Sequence, residues 1–144
     1  MISIRQAAPP DAQAIFAAES AYIDCPWSEE QVRAAIQNEH TVFLVAYNGQ
    51  TFCGYVSGDI TLDECEINNI AVVIGYRRNG VALALMTELF DKLRARNVKT
   101  VYLLVRYDNV PAQELYKKCG FAVVGKRPNY YKGKDALIMR LYLQ

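Results

Sequence analysis

The sequence predicts one α/β domain over residues 1–144, with a mixed, mostly antiparallel sheet flanked by helices. Three observations predict this class. Strand-like apolar runs follow one another through short turns in the middle of the chain, a long amphipathic helix comes directly after them, and strands and helices then alternate. The chain of 144 residues has the length of a single domain. The expected order of elements is β-α-α-β-β-β-α-β-α-β-β.

The first part of the chain predicts one strand and two helices. Residues Ile2–Ala7 alternate between apolar and polar, as a strand does. Pro9-Pro10-Asp11 then opens a helix, which ends at Cys25-Pro26. The second helix begins at Ser28-Glu29-Glu30-Gln31, a capping-box pattern in which the serine and glutamine side chains each accept a hydrogen bond from the other residue's backbone amide.

The middle of the chain predicts a three-stranded meander and then the longest helix. Thr41–Tyr47 and Thr51–Ile60 are joined by Asn48-Gly49, a pair typical of hairpin turns. Glu66–Val73 is the third strand. In the helix Asn79–Arg96, apolar side chains recur at helical spacing on one face, namely Ala82, Leu85, Met86, Leu89 and Leu93.

The last part predicts three strands and one short helix. Thr100–Val105 is β-branched and aromatic, which favours a strand. Val110–Cys119 is a short helix followed by glycine, a residue common just past a helix end. The final strands are expected at Phe121–Gly125 and Ala136–Tyr142, with the polar and aromatic loop Lys126–Asp135 between them.

Composition excludes several classes of function. The 16 lysines and arginines against 15 acidic residues give a net charge of +1, without the basic excess of a nucleic-acid binder. No apolar run approaches the roughly 20 residues that span a bilayer, and the N-terminus lacks a signal-peptide block. Four widely spaced cysteines and a single histidine favour reduced thiols in a cytoplasmic protein, and neither a metal site nor a histidine-dependent catalytic triad is expected.

The segment Arg77-Arg78-Asn79-Gly80-Val81-Ala82 has the features of an anion site. It joins a buried strand to the start of the long helix, where free backbone amides and the helix dipole attract negative charge. Gly80 allows a phosphate to approach the backbone closely, and the two arginines add positive charge. The alternative is an ordinary turn between a strand and a helix, with both arginines facing solvent.

Two blocks of sequence resemble one family. The spacing Arg77-x-x-Gly80-x-Ala82 resembles the pyrophosphate-binding signature of the GNAT superfamily of acetyl-CoA-dependent N-acetyltransferases. It is followed by Asn109-x-x-Ala112-x-x-Leu115-Tyr116-x-x-x-Gly120-Phe121, which looks like the family's helix beside the pantetheine arm. The segments Cys25-Pro26-Trp27-Ser28 and Asn129-Tyr130-Tyr131 are similar to the RimI-type branch, which acetylates protein N-termini.

This resemblance implies a fold, a co-substrate and a set of site residues. Acetyl-CoA would enter a gap between the third meander strand and the next strand, and a primary amine, most simply a protein N-terminus, would accept the acetyl group. Cofactor contacts are implied for Ile70, Ala71, Val72, Arg77, Arg78, Asn79, Gly80, Val81, Ala82 and Asn109. The Val72 amide would stabilise the oxyanion, and the coenzyme A phosphates would lie on the amides of residues 78–82.

Catalytic and acceptor roles follow from the same resemblance. Tyr116 matches the tyrosine that protonates the leaving thiolate, although periodicity alone favours a packed aromatic residue. Trp27, Tyr130 and Tyr131 would border the acceptor groove, and the alternative for the tyrosines is a solvated hairpin tip.

The general base departs from the RimI-type pattern. That branch has a glutamate in a Leu-Glu-Val-Arg setting, whereas this chain has Leu104 there. Histone-type members of the superfamily have their base on the third meander strand, and Glu66-Ile67-Asn68-Asn69-Ile70-Ala71-Val72 fits their pattern. Our hypothesis is therefore that Glu66 is the general base. The alternatives are a solvated carboxylate without a catalytic role, or proton loss through water and backbone carbonyls.

Three functions remain open from the sequence. The first is an N-terminal α-amine acetyltransferase, and the second is an acetyltransferase for a small amine such as a polyamine, an amino acid or an antibiotic. The third is a regulatory module that binds acetyl-CoA without turnover. Fold and cofactor motif do not separate them, because the acceptor site decides function.

Overall fold

A seven-stranded sheet forms the centre of the computed structural model, which describes residues 1–144. The strands are β1 (Ile2–Gln6), β2 (Thr41–Asn48), β3 (Thr51–Thr61), β4 (Glu64–Val72), β5 (Thr100–Arg106), β6 (Ala122–Tyr131) and β7 (Lys134–Tyr142). The helices are α1 (Ala12–Tyr22), α2 (Glu29–Gln37), α3 (Val81–Ala95) and α4 (Val110–Lys118), with short 3₁₀ turns at Pro9–Asp11 and Ile74–Tyr76. The predicted class and element order are confirmed.

The pairing between β4 and β5 is the exception in an otherwise antiparallel sheet. The strand order is β1-β2-β3-β4-β5-β7-β6, and every neighbouring pair but this one is antiparallel. β4 and β5 are parallel and pair only over Glu64–Glu66 and Thr100–Tyr102. β5 stays paired with β7 along its whole length. The two strands therefore diverge beyond Glu66 and open the centre of the sheet.

Helices cover the two faces of the sheet and bury separate cores. On one face, α3 contributes Leu85, Met86, Leu89 and Leu93, which are completely buried against the strands. On the other face, α1 and α2 cover β2 and β3, with Ile15 and Val32 at the centre of a smaller core. The capping box at Ser28 is present, since its hydroxyl accepts from the Gln31 amide at 3.1 Å and the Gln31 side chain accepts from the Ser28 amide at 2.9 Å.

Two predicted boundaries were wrong. The segment Lys126–Asp135 is not a loop: β6 runs to Tyr131, β7 begins at Lys134, and only Lys132-Gly133 form the turn. β6 is an edge strand with one neighbour and mostly exposed side chains, so a polar sequence containing Pro128 is compatible with it. The long helix begins at Val81 rather than Asn79, because Gly80 is left-handed, with φ 77°, and serves as its N-cap.

Two classes of feature are not found in this chain. None of its helices combines the length and apolar character that a bilayer crossing requires. No group of three or more histidine, cysteine or acidic side chains is close enough together to hold a metal ion. All four cysteines are free.

Candidate active site

A cleft of about 990 Å³ occupies the gap where β4 and β5 diverge. It extends from the last paired residues of the two strands to the N-terminus of α3 on one side. On the other side it reaches the loop between α1 and α2 and the β6–β7 hairpin. All the predicted site residues except Asn79 line it, namely Trp27, Glu66, Ile70, Ala71, Val72, Arg77, Arg78, Gly80, Val81, Ala82, Asn109, Tyr116, Tyr130 and Tyr131.

The backbone amide of Val72 points into this cleft. The next amide, that of Val73, donates to the Cys53 carbonyl on β3 at 2.8 Å. Because successive residues of a strand direct their amides to opposite sides, the Val72 amide points away from β3. β5 has already diverged at this level, so no strand accepts that hydrogen. The Val72 carbonyl is also on this open side and accepts from Arg77 Nε at 3.0 Å.

The amides at the start of α3 form a second group of free donors. The first helical bond of this turn is the one from Ala84 to the Gly80 carbonyl, and no side chain caps the N-terminus. Arg78 and Gly80 are both left-handed, with φ of 65° and 77°. Successive amides in such a turn, together with the helix dipole, form a concave anion site.

Tyr116 lies on α4 with only 8 % of its surface exposed, and it lines the cleft. Its ring packs edge-on against Phe121, with 5.9 Å between the centroids. Burial raises the pKa of this phenol above its ordinary value, with smaller contributions from Tyr131 and Cys119. A phenol in this state keeps its proton throughout the neutral range and is available as an acid.

Glu66 and Leu104 occupy the two positions at which members of the superfamily have a general base. Glu66 is exposed and pairs with Tyr102 in the last step of the parallel ladder, and its side chain makes no ion pair or hydrogen bond with the chain. Leu104 lies two residues further along β5, about 7 Å closer to the open end. Asn68, two residues beyond Glu66, is the extra residue of a bulge in β4, and its Nδ2 atom is buried without a hydrogen-bond partner.

The end of the cleft that the sequence predicts to bind the acceptor, called the acceptor end below, is bordered by aromatic side chains. Trp27 packs edge-on against Phe43, with ring centroids 6.4 Å apart. Tyr130 and Tyr131 pack edge to face at 4.9 Å. Tyr131 Oη donates to the Leu104 carbonyl at 3.4 Å, so the hairpin is attached to β5.

Ion pairs connect the same segments at the surface. Arg106, at the end of β5, contacts Asp24 of the α1–α2 loop at 2.9 Å and Asp108 at 2.6 Å. Lys134 of the hairpin contacts Asp108 at 2.8 Å. One chain of charges therefore links both sides of the acceptor end to β5.

Sequence reasoning missed a buried carboxylate behind this site. Glu19 on α1 is 0 % exposed and has no cationic partner. Its Oε1 accepts from Tyr55 Oη at 2.6 Å and from Asn69 Nδ2 at 2.9 Å, and its Oε2 accepts from the Trp27 amide at 2.9 Å. Burial, followed by this carboxylate, raises the pKa of Tyr55. One side chain thus joins α1, the α1–α2 loop, β3 and β4.

A signal for Glu19 was present in the sequence. It lies four residues after Ile15 and three before Tyr22, at the spacing that places all three on one face of a helix. An acidic residue on a buried stripe requires hydrogen-bond donors from other segments. No local pattern indicates that those donors come from positions 27, 55 and 69.

Comparisons with known proteins agree with this geometry. The model of the Acetyltransferase (GNAT) family matches residues 4–121. The [ribosomal protein bS18]-alanine N-acetyltransferase of Escherichia coli (strain K12) is 36% identical over 120 residues, which are 81% of this chain and 80% of the relative. The N-alpha-acetyltransferase RimI of Mycobacterium tuberculosis (strain ATCC 25618 / H37Rv) is 35% identical over 123 residues, 81% of this chain and 76% of the relative.

A solved structure gives the same result. The crystal structure of the ribosomal-protein-S18-alanine N-acetyltransferase from Escherichia coli matches with a TM-score of 0.92 and 32% identity, covering 100% of this chain and 95% of that one. This chain belongs to the GNAT family. It is an acetyl-CoA-dependent N-acetyltransferase, and the predicted similarity to the RimI-type branch is confirmed.

The residues present fit acetyl-CoA as the co-substrate of this GNAT enzyme. Uncapped amides and a left-handed glycine at the start of α3 suit a diphosphate, and the free Val72 amide suits a carbonyl oxygen. One continuous cleft connects the start of α3 with Val72.

Replacing Glu19 by alanine is expected to destabilise the fold. Three donors lose their acceptor and a cavity forms, so the free energy of unfolding should fall by about 3 kcal/mol or more. Urea denaturation followed by tyrosine and tryptophan fluorescence measures it. Glu30→Ala is the matched control, because Glu30 is exposed on α2 and makes no ion pair, and it should change stability by less than about 0.5 kcal/mol. Equal losses in the two variants would contradict the buried role.

Proposed function

We propose that this enzyme acetylates the N-terminal α-amine of a protein, with a ribosomal protein that begins with alanine as the first candidate, and that it acts in the cytoplasm. The observation that carries the proposal is the continuous cleft from the free amides of α3, past Val72, to a groove between Trp27 and the Tyr130–Tyr131 hairpin. Two relatives support it: the Escherichia coli protein named for the alanine of ribosomal protein bS18, and the Mycobacterium tuberculosis protein named as an N-alpha-acetyltransferase.

The chemistry of the acceptor is compatible with this site. An α-amine has a pKa of about 7.7–8.0, whereas a lysine amine has about 10.4. A substantial fraction of an α-amine is therefore neutral near pH 7.5, and it needs little assistance to become a nucleophile. A groove open at both the loop and the hairpin admits the end of an extended peptide.

The cofactor roles proposed for the chain follow from its free donors. The amides of residues 78–82 would hold the coenzyme A diphosphate, with the Arg78 guanidinium adding charge. The open edge of β4 at Ile70–Val72 would bind the pantetheine arm, and Asn109, which caps α4, would lie beside it. The acetyl carbonyl would then reach the Val72 amide, which would stabilise the oxyanion that forms during attack.

Proton movements complete the proposed mechanism. The amine nitrogen attacks the thioester carbon, the carbon–sulfur bond breaks, and the sulfur leaves as a thiolate. Tyr116 would donate its proton to that thiolate. Glu66 would accept the proton from the amine through water, and the Asn68 Nδ2 group, which has no partner in the chain, would donate to such a water.

The experiment that tests the proposed function is an acceptor panel followed by release of the coenzyme A thiol. It compares a peptide beginning with alanine, the same peptide with a blocked N-terminus and an internal lysine, and a polyamine. We expect turnover of the free N-terminus alone. Turnover of the polyamine in preference to both peptides would contradict the protein acceptor, and acetyl-CoA binding without any turnover would contradict catalysis.

Tyr116→Phe is expected to lower kcat by about 100-fold, the contribution of a positioned acid. Because burial raises the pKa of Tyr116, its proton is retained as pH rises, so the natural chain should show no decline in kcat between pH 7 and about pH 10. Rates at saturating substrates from pH 6 to 10 measure this. The rising limb, which reports the α-amine, should persist in the variant. An unchanged kcat in Tyr116→Phe would contradict the role of Tyr116 as the acid.

Glu66→Gln is expected to lower kcat/KM by about 100-fold at pH 6.5 and by much less at pH 9, where the amine has already lost its proton. Glu64→Gln is the matched control, since Glu64 is exposed two residues earlier on the same strand and does not line the cleft. An unchanged pH profile in Glu66→Gln would remove Glu66 from the mechanism and leave water and backbone carbonyls as the route.

A further inference from the structure

Both backbone and side chain of Arg77 are already engaged inside the chain. Its amide donates to the Ile74 carbonyl at 3.2 Å. Its Nε donates to the Val72 carbonyl at 3.0 Å. Its guanidinium carbon lies 4.8 Å from the centroid of the Tyr22 ring on α1. This arrangement differs from that of Arg78, whose side chain makes no hydrogen bond or ion pair with the chain.

Tyr22 holds the same loop through a second contact. Its hydroxyl oxygen accepts from the Ile74 amide at 3.3 Å. Ile74 is the first residue of the 3₁₀ turn that leads from β4 toward α3, and Arg77 follows its last residue. A single side chain on α1 therefore contacts both ends of that turn.

This loop carries the free amides that precede α3, and α1 leads into the loop that borders the acceptor groove. A planar guanidinium suits a contact that combines stacking on an aromatic face with a hydrogen bond to a carbonyl, and a lysine cannot reproduce both. Moving Arg77 toward a phosphate would break its contacts with Tyr22 and Val72.

We infer that Arg77 is a positioning residue that fixes the β4–α3 loop against α1 through Tyr22, and that its guanidinium is not a ligand of the coenzyme A phosphates. The acceptor side and the cofactor side of the cleft are then linked through the Tyr22–Arg77 pair. This inference deepens the proposed function, because it concerns the same cleft. It gives a positioning role to Arg77, which the sequence signature places at the phosphate.

The test is titration calorimetry of acetyl-CoA against the full chain and its variants. Tyr22→Leu removes the ring from α1 and should weaken acetyl-CoA binding about tenfold. Arg77→Gln should cause a similar loss, and the double variant should bind no more weakly than either single one. Arg78→Gln is the comparison variant. Its loss of acetyl-CoA affinity should add in full to the loss caused by Tyr22→Leu.

Conservative variants separate positioning from phosphate binding. Tyr22→Phe keeps the ring under the guanidinium and should retain most of the affinity. Arg77→Lys keeps the charge and should bind as weakly as Arg77→Gln, whereas a phosphate ligand would be substantially rescued by lysine. In steady-state assays KM for acetyl-CoA should rise more than kcat falls, because Tyr116 is not disturbed. Thermal unfolding identifies any variant that fails to fold. In that case the affinities of Tyr22→Phe and Arg77→Lys are compared with that of the natural chain.

Additive losses for Tyr22→Leu and Arg77→Gln, unchanged affinity in Tyr22→Leu, or rescue by Arg77→Lys would each overturn the inference. Calorimetry requires no acceptor. A chain that acetylates no peptide would therefore contradict the proposed function and still give a result for Arg77.

Discussion

Two parallel strands that pair over only three residues determine what this enzyme can bind. Beyond Glu66, the donors and acceptors on the open edge of β4 have no partner strand, and a buried unpaired amide costs free energy. A ligand that hydrogen-bonds along β4 recovers that cost, as an added strand would. Two features hold the gap open. The bulge at Asn68 bends β4, and β3 lies so close to Ala71 that a Cβ at Gly54 would be 2.6 Å from the Ala71 carbonyl oxygen.

Local rules predicted the elements and the cofactor end of the site well. The capping box at Ser28 and the glycine before α3 each act within a few residues, and each is present. The hairpin between β2 and β3 is present too, although its turn is Gly49-Gln50 rather than Asn48-Gly49. Periodicity placed the α3 core correctly. It failed in β6, where an edge strand exposed on both sides carries no alternation of burial, so polarity was interpreted as a loop.

The acceptor end was predicted less completely, because its contacts join distant segments. Glu19 depends on donors eight, 36 and 50 residues further along the chain. The contact between Arg77 and Tyr22 likewise joins a loop to a helix with no local pattern connecting them. The signature identified Arg77 as a residue of the site, whereas the direction of its side chain follows from tertiary packing alone.

The two carboxylates beside the cleft illustrate how environment divides roles. Glu19 is enclosed and accepts three hydrogen bonds from the chain, so it does not face a substrate and acts on the site by holding Trp27 and Asn69. Glu66 has the opposite surroundings: it is exposed, unpaired and at the closed end of the gap. Leucine at position 104 then has a simple physical consequence. An acceptor amine with a pKa near 8 loses its proton to water readily, so a base further from the acetyl group, acting through solvent, is sufficient. A lysine acceptor would lack that advantage, and the apolar Leu104 side chain would leave its ammonium group without a nearby partner.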